Sequence, residues 1–368
     1  MVKVKEIGRS FVSRDPRTIT LPWDDPNTDW NGLEEPSIGR IIKPEFNPVD
    51  SRSALETDLR HHYHEITQPS IYAMEESFSL NGGKKTRSGL VLLVDANDSD
   101  VKTHENTKPG GVNNRKRLLE SLRANLEITL MSGDGVKELV GYALQGSSAR
   151  YNLEAFGVEY TLHQVSDAEI IGHVKKHLEG KWVYILDGHH RNEAAGKSEF
   201  GYNMVYLSDN NDIEIFPWHR LVTGFSDGQF CQLSIKLDQR GFHITPLESS
   251  KVEHIIKEMG NSIVIAYADR HCLLSNGSTG SVESDLSNFH ACVLDSLFDG
   301  IINKEQIRYK NGVNGLPNPA EGELLALLSY PPRDIIRRFA DAGQNMPQKS
   351  TNIQPKVNSG IIIAPFDI

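Results

Sequence analysis

Residues 182–196 read WVYILDGHHRNEAAG. The apolar run 182–187, rich in aromatic and branched side chains, has the length and composition of a buried strand. A helix is expected to begin near Asn192, so the unit is strand, glycine turn, helix, the building block of layered α/β proteins. Gly188 lets the backbone approach a ligand, the helix start offers free N–H groups, and Arg191 can grip a phosphate with two donors. Asp187-Gly188-His189-His190-Arg191 is therefore expected to form an anion cradle. Asp187, at the strand end, is the candidate Mg²⁺ ligand, because Mg²⁺ usually takes one or two carboxylates plus substrate phosphates.

Further strands are expected at 88–95 (SGLVLLVD), 202–207 and 262–269 (SIVIAYAD). The clearest helix runs from Ser166, where Ser166 and Glu169 suit a capping box, Ile170, Ile171, Val174 and Leu178 share one face, and Gly180 ends it. Others are expected over 114–125 and 247–259, and a pair over 323–328 and 332–342 flanks Pro331-Pro332. Interleaved strands and helices indicate an α/β class, with α+β kept open because strand order cannot be read from one sequence. Six X-Pro pairs fall in the first 50 residues, from Asp15-Pro16 to Asn47-Pro48, which breaks any regular period. The expected organisation is a proline-rich N-terminal arm (1–37), a core (38–210) and a C-terminal α/β region (211–368) completing the site. The polar stretches 208–212 and 275–283 are candidate boundaries.

Of the 368 residues, 38% are hydrophobic and 24% charged, which excludes wholesale disorder. The net charge of −10 disfavours a constitutive coat on nucleic acid or anionic membrane, so no nucleic-acid or membrane partner is expected. No apolar run approaches the roughly 20 residues of a spanning helix, and residues 1–10 lack the pattern of a secretory signal. A cytoplasmic protein is expected. Cys231, Cys272 and Cys292 are too widely spaced for a disulfide framework or thiolate zinc site and are expected to be small buried hydrophobes.

A second chemical signal is Thr103-His104-Glu105-Asn106-Thr107, followed by Lys108-Pro109-Gly110-Gly111 and a basic stretch with Arg115, Lys116, Arg117 and Arg123. A carboxylate beside a basic helix start suits proton removal by Glu105 while cations neutralise a phosphoryl group. There is no G-x-x-x-x-G-K-[ST] loop and no G-x-G-x-x-G fingerprint. His219-Arg220, after Phe216-Pro217-Trp218, and Lys349-Ser350-Thr351, after Asn345-Met346-Pro347-Gln348, are further candidates for a phosphate or carboxylate site. His61, His62 and His64 with Glu65 lack further ligands at a diagnostic spacing.

Taken in order, Ser88-Gly89-Leu90, His104-Glu105-Asn106-Thr107, Asp187 to Arg191, Pro217 to Arg220, Met346 to Thr351, Pro355-Lys356 and Ser359-Gly360 resemble one family. It is a long bacterial and archaeal family, largely of unknown function, with a domain similar to the SerK-type free serine kinases of the ParB/sulfiredoxin-like superfamily. The resemblance runs from about residue 38 to 368. It implies a ParB/sulfiredoxin-like core, Mg²⁺ with ATP or ADP as phosphoryl donor, and transfer to the hydroxyl of a free amino acid, L-serine giving O-phosphoserine. The implied base is Glu105, with His104, Asp187, His189, His190 and Arg191 as its catalytic companions. The expected nucleotide and phosphate contacts are Thr107, Gly188, Arg115, His219, Arg220, Lys349, Ser350 and Thr351. The family often has Arg where this chain has Asn106, and aromatics where it has Asn192, Asn352 and Ile353, which leaves other hydroxylated acceptors open. Sulfiredoxin chemistry is set aside because His189 stands where that branch needs a cysteine. The alternative is a nucleotide-binding regulatory switch of ParB-like fold without turnover; no helix-turn-helix is evident to serve a DNA clamp.

Overall fold

The computed structural model describes residues 2–22, 33–43, 47–260, 262–276, 286, 289–311, 316 and 319–366. The fold is mixed α/β, as expected, and divides into two compact units. One comprises residues 1–213 with 355–368, the other residues 214–354.

Among the described residues, the first unit is built on a nine-stranded mixed sheet. Its order is Val101–Lys102, Val183–Asp187, Thr129–Gly133, Tyr202–Asp209, Gly83–Asp95, Ile71–Leu80, Val158–Val165, Ser147–Ala155, with Val4–Lys5 also paired to Gly83–Asp95. Val183–Asp187 runs parallel to Val101–Lys102 and antiparallel to Thr129–Gly133. Asp187 ends this strand and is paired on one side, with Leu130. Leu90, Leu92 and Val94 alternate with Val91 and Leu93, and the first set joins Val205, Leu207, Val183 and Ile185 under the helices Val136–Ala143 and Ala168–Leu178. Each buried side chain of this kind contributes roughly 1.5–3 kcal/mol.

The helix Ala168–Leu178 buries Ile171, Val174 and Leu178 as expected, but its cap is Asp167 rather than Ser166. The Asp167 carboxylate accepts from the Glu169 and Ile170 amides at 2.9 and 3.1 Å, taking up two of the donors that a helix start leaves open. The helix expected from residue 114 begins at Pro109 (Pro109–Leu122), since proline is suited to a first helical turn whose N–H groups are unpaired anyway. The helix expected near Asn192 starts at His189 (His189–Gly196), directly after Gly188.

The N-terminal residues do not stand off as an arm. Ser10–Ser13 pairs with Tyr63–Ile66 and with Ile362–Pro365 in a four-stranded sheet, and Val2, Ile7, Phe11 and Val12 are buried. Pro16 opens a tight turn at Pro16–Thr18.

The second unit holds a six-stranded antiparallel sheet ordered Phe242–Leu247, Arg270–Asn276, Ile263–Tyr267, Glu323–Leu328, Trp218–Thr223, Ile307–Asn311. Glu323–Leu328 (ELLALL), expected as a helix, is a central strand of it. A six-residue apolar run cannot be told apart by period, and here pairing on both edges overrides the helix propensity of Leu and Ala. The expected partner over 332–342 is a helix, Ile335–Asp341. The candidate boundary at 208–212 lies next to the observed division, whereas residues 277–283 of the other fall outside the described residues.

Candidate active site

Asp187 ends its strand buried, and both carboxylate oxygens are engaged. Arg191 Nη2 donates to Oδ2 at 2.6 Å, and Lys356 Nζ forms a short ion pair with Oδ1. The Arg191 guanidinium also donates to the Ile128 carbonyl at 2.5 Å. Gly188 makes this turn possible: its φ is +99°, and a Cβ there would lie 2.8 Å from Arg191 Nε and 2.9 Å from Thr129 Oγ1. Burial by itself would raise the Asp187 carboxyl, but Lys356 and Arg191 outweigh it and hold the group well below the usual carboxylate range.

His189, also buried, meets His104 edge to face with ring centroids 4.7 Å apart. Among the described residues, Nε2 of His189 has no hydrogen-bond partner, and the His104 ring has none beyond the backbone of Ile185. Burial pushes His189 down to about 4, only partly countered by Asp187. Burial and then the adjacent His189 push His104 well below the ordinary imidazole value. Burial thus favours the neutral form of both rings.

The loop after His104 is fastened to the helix His189–Gly196. The Lys108 amide donates to His190 Nε2 at 2.9 Å, and Thr107 Oγ1 donates to Glu193 in a short bond. Glu193 also receives Lys197 at 2.5 Å. His190 further fills the space beside Gly111, where a Cβ would meet its ring at 2.7 Å. Thr107 and His190 thus join two segments of the site. Glu105, half-buried, follows His104 directly, and its carbonyl accepts from the Thr103 hydroxyl at 3.3 Å.

Arg115 is buried in an ion pair with Glu127 at 2.7 Å and donates to the Ile42 carbonyl at 3.1 Å. It lines, with Arg191, Glu127 and Asn203, a cavity of about 30 Å³, room for water but not for a phosphate. Asn192, where the family often has an aromatic, accepts from Asn203, which also donates to Thr129.

His219, Arg220, Lys349, Ser350 and Thr351 belong to the second unit. His219 and Arg220 are fully buried on the strand Trp218–Thr223. His219 Nδ1 accepts from the Leu328 amide at 3.1 Å, and burial pushes this ring down to about 4. Arg220 donates to the Trp218 and Lys349 carbonyls at 2.6 and 3.1 Å and reaches Asp295 at 3.4 Å. The Lys349 ammonium lies over the Trp218 ring, 5.3 Å from its centroid, and Ser350 Oγ donates to the Pro347 carbonyl at 2.6 Å. Within this unit the His-Arg pair and the Lys-Ser-Thr run meet one another, as one built substructure.

Lys356 is the site residue that motif reading left without a role. Its neighbour Pro355 is held by Arg87, whose Nη2 donates to the Pro355 carbonyl at 3.0 Å while Nε is paired with Glu76 at 2.6 Å. The basic residue in the Pro-Lys step was the available signal; its target, 169 residues earlier, was not.

The residues present do not make a resident Mg²⁺ site, because both Asp187 oxygens are already bonded to cations. Among the described residues no group of three or more His, Cys, Asp or Glu is placed to hold a metal ion. The cysteines also differ from expectation: Cys231 is exposed, Cys272 and Cys292 are half-buried, and all three are free thiols. No helix of the described residues is long and apolar enough to cross a membrane.

The neutral buried imidazoles define a pH limit. In the unfolded chain a histidine takes up its proton near pH 6.5, whereas His189 resists to about 4 in the folded protein. The unfolded state therefore binds more protons as pH falls through that window, and stability present above about pH 6.5 is lost progressively towards pH 4. Asp187 acts in the same sense at lower pH, its contribution present above about pH 4 and lost below. Urea midpoints measured across this range are expected to fall most steeply between pH 6.5 and 4, and less steeply in His189→Gln.

The fold and this site define a two-unit mixed α/β protein with a buried charged turn at a strand–helix junction. Residues 32–283 match the family described as Protein of unknown function (DUF1015), more than half of the chain, and the protein belongs to that family. Among solved structures it is similar to SbnI with a C-terminal truncation from Staphylococcus aureus, at 12% identity over 73% of this chain and 85% of that one, TM-score 0.45. It is also similar to a free serine kinase point mutant in complex with ADP, at 10% identity over 74% and 92%, TM-score 0.41. A conserved hypothetical protein from Pyrococcus furiosus is similar at 12% identity over 74% and 95%, TM-score 0.37. Comparison with curated proteins gives no match.

Proposed function

We propose that the protein transfers a phosphoryl group from ATP or ADP to the hydroxyl of a free amino acid, L-serine first among the candidates. The observation that carries this reading is the pair of buried imidazoles His104 and His189, packed edge to face and next in the chain to Glu105 and to the Asp187-Gly188 turn, with Nε2 of His189 unpaired among the described residues. Buried polar groups are normally bonded, so an unpaired nitrogen at such a junction suits a ligand with a matching polar atom. The order of motifs along the chain, similar to the free serine kinases, supports the same reading.

In this reading the acceptor hydroxyl loses its proton to Glu105, its oxygen bonds to the terminal phosphorus, and the bond from that phosphorus to the nucleotide's bridging oxygen breaks. The products are the phosphomonoester and ADP, or AMP when ADP is the donor. Positioning and charge neutralisation dominate such a transfer. Lys356 and Arg191 are the cations of the turn, His104 and His189 act as neutral hydrogen-bonding groups, and Asp187 orders the two cations. Mg²⁺ in this reading accompanies the nucleotide rather than occupying a protein site of its own.

The test is ³¹P NMR of the purified protein with Mg²⁺, ATP or ADP, and a panel of free hydroxy amino acids. A new phosphomonoester signal with one acceptor is the expected result. Nucleotide binding by calorimetry with no product from any acceptor would overturn the kinase reading in favour of a nucleotide-dependent switch.

A further inference from the structure

In the second unit the sheet has two distinct faces. Val264, Ala266, Leu325 and Leu327 pack with Val252, Ile255 and Ile256 of the helix Ser249–Glu258. The alternate residues, Ile265 and Tyr267 with Cys272 and Leu274, line the space shared with the helix Asp227–Gln239. That space is a cavity of about 410 Å³, in the size range of small-molecule sites.

Its walls are apolar and aromatic: Leu233 and Leu237 from the helix, Ile244, Ile265 and Leu274 from the sheet, and a stacked pair of rings, Phe230 and Tyr267, with centroids 5.1 Å apart. Ile244, on the edge strand, is 41% exposed, so the chamber opens beside it. An apolar body placed here would make dispersion contacts with these walls.

The charged groups at the cavity are Asp227 and Arg270. Asp227 accepts from the Tyr267 hydroxyl at 2.7 Å. Arg270 is the direct cross-strand partner of Tyr267 on a tight hairpin, exposed, and without an ion pair or hydrogen-bond partner for its guanidinium among the described residues. A guanidinium presents a planar fork suited to carboxylate or sulfonate oxygens.

We propose that this cavity binds a small amphipathic organic monoanion, with an aromatic or aliphatic body in the chamber and its acidic head on Arg270. The apolar walls select against sugars and nucleotides, whose many polar groups would lose their hydration unpaired. Asp227, lining the same cavity, repels a second negative charge and so restricts the ligand to one. The inference is independent of the kinase reading and fails or stands separately from it.

Two fluorescent probes that differ in charge test it on the full chain: 8-anilinonaphthalene-1-sulfonate, an anion, and N-phenyl-1-naphthylamine, a neutral molecule of similar body. Both are expected to saturate at one site. Arg270→Ala is expected to weaken the sulfonate about tenfold, the scale of a lost hydrogen bond to a charged group, while leaving the neutral probe within about twofold. Ser234→Trp, which fills the chamber from the helix side, is expected to weaken both at least about tenfold. Absence of saturable binding overturns the proposal, as does an equal response of the two probes to Arg270→Ala. Because Arg270 is on an exposed hairpin, its variant decides the question even if Ser234→Trp does not fold.

Discussion

Glu105→Gln is expected to lower kcat for phosphoryl transfer about 10²–10⁴-fold, the contribution of a positioned general base. The substitution keeps the shape and hydrogen-bonding length of the side chain but removes its ability to take the hydroxyl proton. Glu105 is tied to the site by its place in the chain, next to His104, whose ring meets His189 at 4.7 Å. The Thr107–Glu193 and Lys108–His190 bonds hold the following residues against the helix His189–Gly196. Nucleotide affinity rests on other groups and is expected to change by less than about threefold, which separates loss of proton transfer from loss of binding. Single-turnover ³¹P NMR with the variant, beside calorimetric titration of ADP, reads both quantities. A kcat within about threefold of the parent would remove Glu105 from the role of base.

Arg87→Met is expected to destabilise the first unit by about 3–5 kcal/mol, because it strands a carboxylate in the core. Glu76 and Arg87 face each other in register across Ile71–Leu80 and Gly83–Asp95, with at most 1% of either side chain exposed. Tyr160 stands beside Glu76 on the next strand, and Tyr206 Oη donates to the Arg87 carbonyl at 3.0 Å. Burial raises the Glu76 carboxyl, and Arg87 is the group that opposes this. Removing both charges in Glu76→Leu/Arg87→Met is expected to recover most of the loss, since apolar replacement of a buried pair is often neutral. Urea denaturation of the two single variants and the double variant closes the cycle. A change below about 1 kcal/mol in Arg87→Met would show that the pair is not load sharing with the core. Arg87 also holds Pro355, so in the kinase reading its loss loosens Lys356 at Asp187 and acts as a positioning defect.

The chemistry of the turn was readable because it is local. WVYILD followed by Gly188 announces a strand and a positive-φ turn, and the helix begins at His189, three residues before the expected start. Glycine at 188 and Arg191 one helical turn beyond Asp187 are consequences of spacing alone. The use made of Arg191 was not readable. Its Nη1 and Nη2 donate to the Ile128 carbonyl and to Asp187, and the Ile128 contact, 63 residues away in the chain, has no local signal. Arg115 likewise looked like a phosphate ligand in a basic stretch, yet it is consumed by Glu127, and the partner of a charge depends on which strand the chain brings past it.

By itself, the sequence determined a mixed α and β composition, the strand–glycine–helix unit at Asp187, the face of the helix Ala168–Leu178, and the ordered motifs that resemble the kinases. Those properties rest on periodicity and on short-range sterics, which act within a few residues. Tertiary structure alone decided that 323–328 is a strand and that the N-terminal residues are sewn into the first unit. It alone also placed Lys356, 169 residues along the chain, on Asp187. The physical reason is common to all three. Sheet pairing and burial of charge are settled between segments distant in sequence, where the strand edge or counter-ion that completes a group is available only once the chain has folded.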